Sequence, residues 1–247
     1  KKQLKGLDHL ICFAVKSNPN IAILNILAKN GAGFDIVSGG ELQRVIAAEG
    51  DPRKIVFSGV GKSQEDIELA IKHNILTFNV ESEAELYRIQ NSAEKLNKKA
   101  AISIRVNPNV DPKTHPYIST GLKDNKFGVD EQNAISMYKI AKNLSAIEIK
   151  GIDCHIGSQI TELKPFEDSI KKLLELIDHL KLIGITIDHI DVGGGIGIQY
   201  SKELPPTFSE YTNTVKKILT GRDLKIIFEP GRAIIGKAGI LLTKVEY

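Results

Sequence analysis

The stretch FAVKSN, residues 13–18, sets Lys16 at the end of an apolar run and follows it with a Ser-Asn-Pro break. Lysine is seldom buried without a partner, so the run reads as a strand that presents an amine. Other apolar runs also end in reactive side chains. Asp35 lies in GFDIV and leads into Ser38-Gly39-Gly40, and AISIRVN ends with Arg105 and Asn107. GIDCHIG brings His155, then Gly157 and Ser158. DVGGGIG carries Gly193, Gly194, Gly195 and Gly197, and IIFEPGR closes with Glu229, Pro230, Gly231 and Arg232.

Taken singly, each feature has a structural reading. The glycines make a tight turn, His155 is a hydrogen-bonded core histidine, and Glu229 with Arg232 is an ion pair. Their joint fall at strand ends points to a site. Glycine-rich turns let backbone N–H groups close on a phosphate, and Gly231 with Arg232 completes such a cup. An acid aimed at a pyridine nitrogen keeps that ring protonated and electron-accepting, a task that suits Glu229. Lys16 supplies an amine for an aldehyde, and His155 lies flat on the ring. Together the parts read as a pyridoxal 5'-phosphate (PLP) site. A phosphate-bearing sugar or nucleotide bound by the same glycines is the rival, and it leaves Glu229 without a task.

These residues need a scaffold that brings strand ends together. Apolar runs at 10–16, 33–37, 54–58, 75–79, 100–106, 147–155, 187–192 and 224–229 make eight candidate strands. Their near-continuous Val/Ile/Phe content suits parallel strands covered on both faces. Between them lie helical patterns with polar or acidic starts and glycine stops, such as SGGELQRVIAAEG, SQEDIELAIKHN and PFEDSIKKLLELIDHLKLIG. Eight strands alternating with seven helices predict an α/β fold; a closed (β/α)8 TIM-type barrel, with the chemistry at the C-terminal rim, fits the count better than an open doubly wound sheet. The eighth helix is expected before Lys1. One long insertion, residues 107–128, is expected to be a functional loop.

The chain of 247 residues suits one such barrel. With 33 Lys and Arg against 30 Asp and Glu, it carries a net charge of only +3 and no aromatic-interleaved basic run, so a nucleic-acid partner is not expected. The NKK run at 97–99 reads as a solvated helix end. No apolar stretch approaches membrane-span length. Cys12 and Cys154 lie inside apolar runs without metal-ligand spacing, which favours a reduced, cytoplasmic setting. The chain opens without Met and stops in GILLTKVEY, so both ends are expected to be cuts from a longer protein.

The ordered set FAVKSN, GFDIVSGGEL, KIVFSGVGK, FNVESEAEL, SIRVNPNVDPKTHPYISTG, HIGSQI, DVGGGIGI and EPGR resembles the diaminopimelate decarboxylases, members of the alanine racemase-like, fold-type III group of PLP enzymes. The resemblance runs from about residue 11 to 243. It implies that Lys16 carries the cofactor, His155 stacks on its ring and Glu229 pairs with its pyridine nitrogen. It places Ser158, Gly193, Gly194, Gly195, Gly231 and Arg232 around the phosphate, with Arg232 also reaching a substrate carboxylate. It puts Asp35 and Arg105 near the cofactor, and Thr114, His115 and Tyr117 in an active-site loop.

The implied activity is decarboxylation of meso-diaminopimelate to L-lysine. The alternatives are decarboxylation of ornithine or arginine, or racemisation on the same fold. HIGSQ and SGGEL point away from the ornithine and arginine enzymes. Family members add a β-rich domain whose cysteine motif and tyrosine act across a homodimer interface. Residues 1–235 are therefore expected to be the PLP-binding barrel, and 236–247 the start of a strand into that domain. The barrel alone is expected to be inactive.

Overall fold

The computed structural model describes residues 2–111, 127–240 and 242–246. Its strands are β1 (His9–Ala14), β2 (Gly33–Ile36), β3 (Ile55–Phe57), β4 (Thr77–Val80), β5 (Ala100–Arg105), β6 (Ile147–Asp153), β7 (His189–Asp191) and β8 (Lys225–Phe228). They form one closed barrel in chain order, every pair parallel, with β8 returning to β1. The expected (β/α)8 barrel is what the chain adopts.

The helices between are α1 (Ile21–Lys29), α2 (Gly39–Ala47), α3 (Gln64–His73), α4 (Glu83–Lys95), α5 (Glu131–Ala141), α6 (Lys164–Leu182) and α7 (Phe208–Leu219). Local chemistry fixes where they start. The side chains of Asn20, Ser38, Ser63, Ser82, Asp130 and Thr207 each accept a first-turn backbone N–H. At α7 a capping box adds the reciprocal bond from Glu210. Lys98, read as solvated, instead crosses to the end of α3, where its ammonium donates to the carbonyls of Ile71 and Lys72. That places a cation on the negative end of the helix dipole.

Strand alternation sorts the side chains into two layers. Phe13, Phe34, Phe57 and Phe78 are fully buried in the core shared with the helices. Inside the barrel a separate small apolar cluster holds Leu10, Cys12, Val56 and Ile227. Along the same strands, two residues further on, come Ala14, Ser58 and Glu229. The barrel thus has an apolar floor and a polar upper storey.

Two expectations change. Lys16 is not in β1, which ends at Ala14. It sits in a 3-10 turn, Val15–Ser17, whose Ser17 hydroxyl donates to the Ala14 carbonyl at 2.6 Å. An eighth helix does follow β8: α8, Arg232–Ile235, a single turn too short for periodicity to reveal. Residues 236–240 and 242–246 form no strand and leave Ile240, Leu242 and Val245 about nine-tenths exposed (93%, 89% and 85%). A strand there has no neighbour to pair with among the described residues.

Candidate active site

The rim collects the sequence-predicted residues through register. Ala14 of β1 pairs with Asp35 of β2, so the turn after Ala14 carries Lys16 directly over Asp35. Lys16 Nζ donates to Asp35 Oδ2 at 2.9 Å. The carboxylate is sealed from solvent (0% exposed), whereas half of the lysine side chain (49%) opens to the cavity. Desolvation pulls the Lys16 pKa down. The charges of Asp35 and Glu229 and the Asp35 hydrogen bond together outweigh it, and the net shift is upward.

Glu229 follows β8 and is buried. Its backbone N–H donates to Gly193 O at 2.8 Å, and the next carbonyl, of Pro230, accepts from Ala14 N–H at 3.2 Å, which ties the ends of β7, β8 and β1. Its Oε1 accepts from Ser58 Oγ at 3.3 Å and Asn79 Nδ2 at 3.5 Å. Burial, reinforced by Asp191, Asp35 and Asp153, raises its pKa well above the carboxylate range.

His155 lies two residues beyond β6. Its Nδ1 accepts from Gly194 N–H at 3.2 Å, which assigns the proton of the neutral ring to Nε2. Burial, Arg105 and Lys16 all push its pKa well below the usual value, so it is a neutral imidazole at pH 7.

The glycine turn requires its glycines. A Cβ on Gly194 would lie 2.1 Å from Glu229 O, and one on Gly195 (φ +103°) 2.4 Å from Gly157 O. Bare backbone is the only solution that lets β6, β7 and β8 converge so closely.

Lys16, His155, Ser158, Gly195, Glu229, Gly231 and Arg232 line one cavity of about 420 Å3. At its far end Arg232 donates to Tyr200 Oη and lies over the Tyr200 ring, 5.7 Å from the centroid. Arg232 Nε is buried without an acceptor among the described residues. A free guanidinium donor beside Ser158 and two glycines is a fit for a phosphate. An amine and a buried acid in the same cavity fit the aldehyde and the pyridine nitrogen of pyridoxal.

Other predicted residues stand elsewhere. Gly193 and Gly194 frame the turn from behind, facing a second, apolar cavity of about 280 Å3. Arg105 belongs to the polar storey below. It pairs with Glu81 at 3.0 Å and Asp153 at 3.8 Å, and it stacks on Phe127 at 5.1 Å. Asp35 acts on the cavity through Lys16. Thr114, His115 and Tyr117 lie outside the described residues.

Sequence reading missed Glu81, Asp153, Asp191 and Tyr200. Asp153 and Asp191 had a signal: each is a charge inside an apolar strand, two residues before His155 and Gly193, and so on the same inward face. Glu81 ties the rim together, accepting from Gly59 N–H and Gly128 N–H at 3.1 Å each as well as from Arg105.

A parallel eight-stranded barrel with a lysine, a buried acid and an anion cup at one rim defines the class: a (β/α)8 domain built to hold a phosphorylated aldehyde. The chain belongs to the pyridoxal-dependent decarboxylases, whose pyridoxal binding domain matches residues 1–236. It is 54% identical over 244 residues to a diaminopimelate decarboxylase of Pseudomonas aeruginosa, covering 99% of this chain and 59% of the relative. It is 56% identical over 247 residues to that of Vibrio cholerae, covering 100% and 59%. It superposes on the crystal structure of diaminopimelate decarboxylase from Helicobacter pylori complexed with L-lysine with a TM-score of 0.92 at 48% identity, covering 94% of this chain and 59% of that one. The chain thus spans about three-fifths of the length of these relatives.

Proposed function

We propose that this chain is the PLP-binding barrel of an enzyme that decarboxylates meso-diaminopimelate to L-lysine. The observation that carries the reading is one cavity holding the Lys16 amine, the buried Glu229 acid and the unpartnered Arg232 Nε. Identity above 50% to diaminopimelate decarboxylases along the whole chain, and a relative solved with L-lysine, favour this substrate over ornithine or arginine.

Each residue then has a task. Lys16 would hold the cofactor aldehyde between turnovers and stand as a free amine while substrate occupies it. Glu229 hydrogen-bonds the pyridine nitrogen. His155, neutral, gives the ring a flat face. Ser158, Gly195, Gly231 and Arg232 hold the phosphate, with Gly193 and Gly194 shaping the turn behind them. Arg232 also reaches a substrate carboxylate. When bound, PLP supplies an electron sink for the pair released as CO2 departs. Asp35 keeps Lys16 oriented, and Arg105 with Glu81 braces the storey beneath. The full-length enzyme is a cytoplasmic homodimer that shares its active site between subunits and adds a β-rich domain after residue 235. Cys12 and Cys154, both buried free thiols, suit a reducing compartment.

The test is borohydride reduction of the full-length protein with PLP, followed by peptide mapping. A pyridoxyl adduct on Lys16 is expected; no adduct on folded protein overturns the reading. Lys16→Ala should abolish turnover. Glu229→Gln should still bind PLP but lose about a hundredfold or more in rate. A panel of amino acids should release CO2 fastest from meso-diaminopimelate. Faster release from ornithine or arginine would move the assignment to those substrates.

A further inference from the structure

Beneath the cavity lies a carboxyl group that none of these tasks uses. Asp191, the last residue of β7, is fully buried. Its Oδ1 accepts from Gly193 N–H at 2.9 Å. Its Oδ2 is buried and meets no N–H or O–H donor among the described residues. Oxygens of Asp191, Glu229 and Asp153 all lie within 4.8 Å of one another. Three buried like charges this close do not ionise together.

The surrounding charges show where a proton is needed. Asp191 and Glu229 are faced by Cys12 and Lys16 from β1 and the turn after it, Asp35 from β2, and Arg105 from β5. Asp153 and Cys154 face them from β6, and Tyr211 from α7. Among these described residues, Lys16 and Arg105 are the cations. Lys16 is engaged by Asp35 at 2.9 Å, and Arg105 by Glu81 at 3.0 Å and Asp153 at 3.8 Å. Arg105 lies within ion-pair distance of Asp153, though burial and Asp191 still raise the Asp153 pKa, while among the described residues no cation lies that close to Asp191 or Glu229. A carboxyl proton shared with Glu229 would give Asp191 Oδ2 the donor that it lacks among the described residues.

We propose that Asp191 is a positioning residue for Glu229, the two side chains sharing one proton so that Glu229 enters the cofactor-free site as a hydrogen-bonding acid. The inference rests on the PLP reading and deepens it: the proton needed at a pyridine nitrogen is stored in the strand ends before any ligand arrives. Asp191 also accepts from Gly193, so the same side chain aligns the glycine turn with the acid.

The probe is 4-deoxypyridoxine 5'-phosphate, a PLP analogue without the aldehyde, titrated calorimetrically into the cofactor-free full-length protein at pH 7. Repeating the titration in buffers of different ionisation heat gives the protons taken from solvent. The unsubstituted protein should take up few. Asp191→Asn keeps the Gly193 contact through its amide oxygen and should take up about one proton more per site. Asp153→Asn leaves the pair intact and should match the unsubstituted protein. Equal uptake by all three, or an equal rise in both variants, overturns the proposal while leaving the PLP reading in place. Failure of the unsubstituted protein to bind the analogue instead overturns the PLP reading.

Infrared difference spectra of the unsubstituted protein give a second readout, independent of how the variants fold. A protonated-carboxyl stretch at pH 7 should vanish on analogue binding; its absence from the ligand-free protein overturns the shared proton. So would a stoichiometric divalent metal in the purified protein, since a cation among these oxygens would replace it.

Discussion

Lys16 Nζ and Asp35 Oδ2 lie 2.9 Å apart across the seam between β1 and β2, one group open to the cavity and the other sealed beneath it. The pair decides the charge of the amine. Desolvation alone would lower the Lys16 pKa, and it is chiefly Asp35, helped by Glu229, that reverses the sign. An amine must lose its proton to attack an aldehyde. Asp35→Asn removes the chief attracting charge and leaves Glu229 alone against burial and Arg105, so the Lys16 pKa falls. The expected outcome is that borohydride-trapped adduct forms at lower pH than in the unsubstituted protein. A pH profile that stays in place would show that Asp35 does not set the amine.

Gly194 tests the convergence of β7 on β8. An added methyl group would sit 2.1 Å from the Glu229 carbonyl, which is backbone and cannot swing aside. Gly194→Ala should lower stability by about 1–3 kcal/mol and weaken PLP binding by displacing Glu229. Gly40→Ala is the control. Its Cβ would meet nothing nearer than Ser38 Oγ at 3.8 Å, and it lies in the first turn of α2. It should be neutral or add a few tenths of a kcal/mol. Thermal melts and PLP titrations of both variants check the contrast.

How far these relations were legible depends on their range. Every strand window overlaps an observed strand, because buried parallel strands write themselves as continuous apolar runs. The rim residues followed, since chemistry after an apolar run is rim chemistry in a parallel barrel. Lys16 was misplaced by one turn: FAVK reads as strand, but the ladder stops at Ala14 and Ser17 folds the chain back on it. The single-turn α8 carries no period to read. Asp191 carried a local signal, a charge inside an apolar strand, but its partner, like that of Glu81, did not. Their meaning lies in partners from distant strands, and no local pattern states that Glu81 will meet Arg105 or that Asp191 will meet Glu229.

Arg232 tests the anion cup. Its Nε is buried and has no acceptor among the described residues, and its Nη1 donates to Tyr200 Oη. Arg232→Lys keeps the charge but loses the planar fork that can meet two phosphate oxygens at once. PLP affinity should fall by roughly tenfold, about the 1.4 kcal/mol of one charge-assisted hydrogen bond. Tryptophan fluorescence cannot report it from this chain, which has 0 Trp, so cofactor absorbance is the readout. Unchanged affinity would leave Arg232 as a structural partner of Tyr200.

The carboxyl pair predicts an unusual stability curve for the cofactor-free protein. Burial raises the Asp191 pKa from 3.8 to about 7, against the lowering effects of its bonds to Gly193 N–H and Glu229. Between those values the folded chain holds a proton that the unfolded chain releases. Its stability is therefore fully present below pH 3.8 and is lost as pH rises through about 7. One such proton gives a slope of about 1.4 kcal/mol per pH unit, in the sense opposite to a salt-bridged aspartate. Asp191→Asn removes that titration, so its melting temperature should fall less steeply than that of the unsubstituted protein from pH 5 to 7. PLP should flatten the unsubstituted curve in the same way, because a ring nitrogen over Glu229 gives the negative charge a partner. Parallel curves for the two proteins would mean that Asp191 is already ionised in the folded state, with its charge balanced by a group other than Glu229.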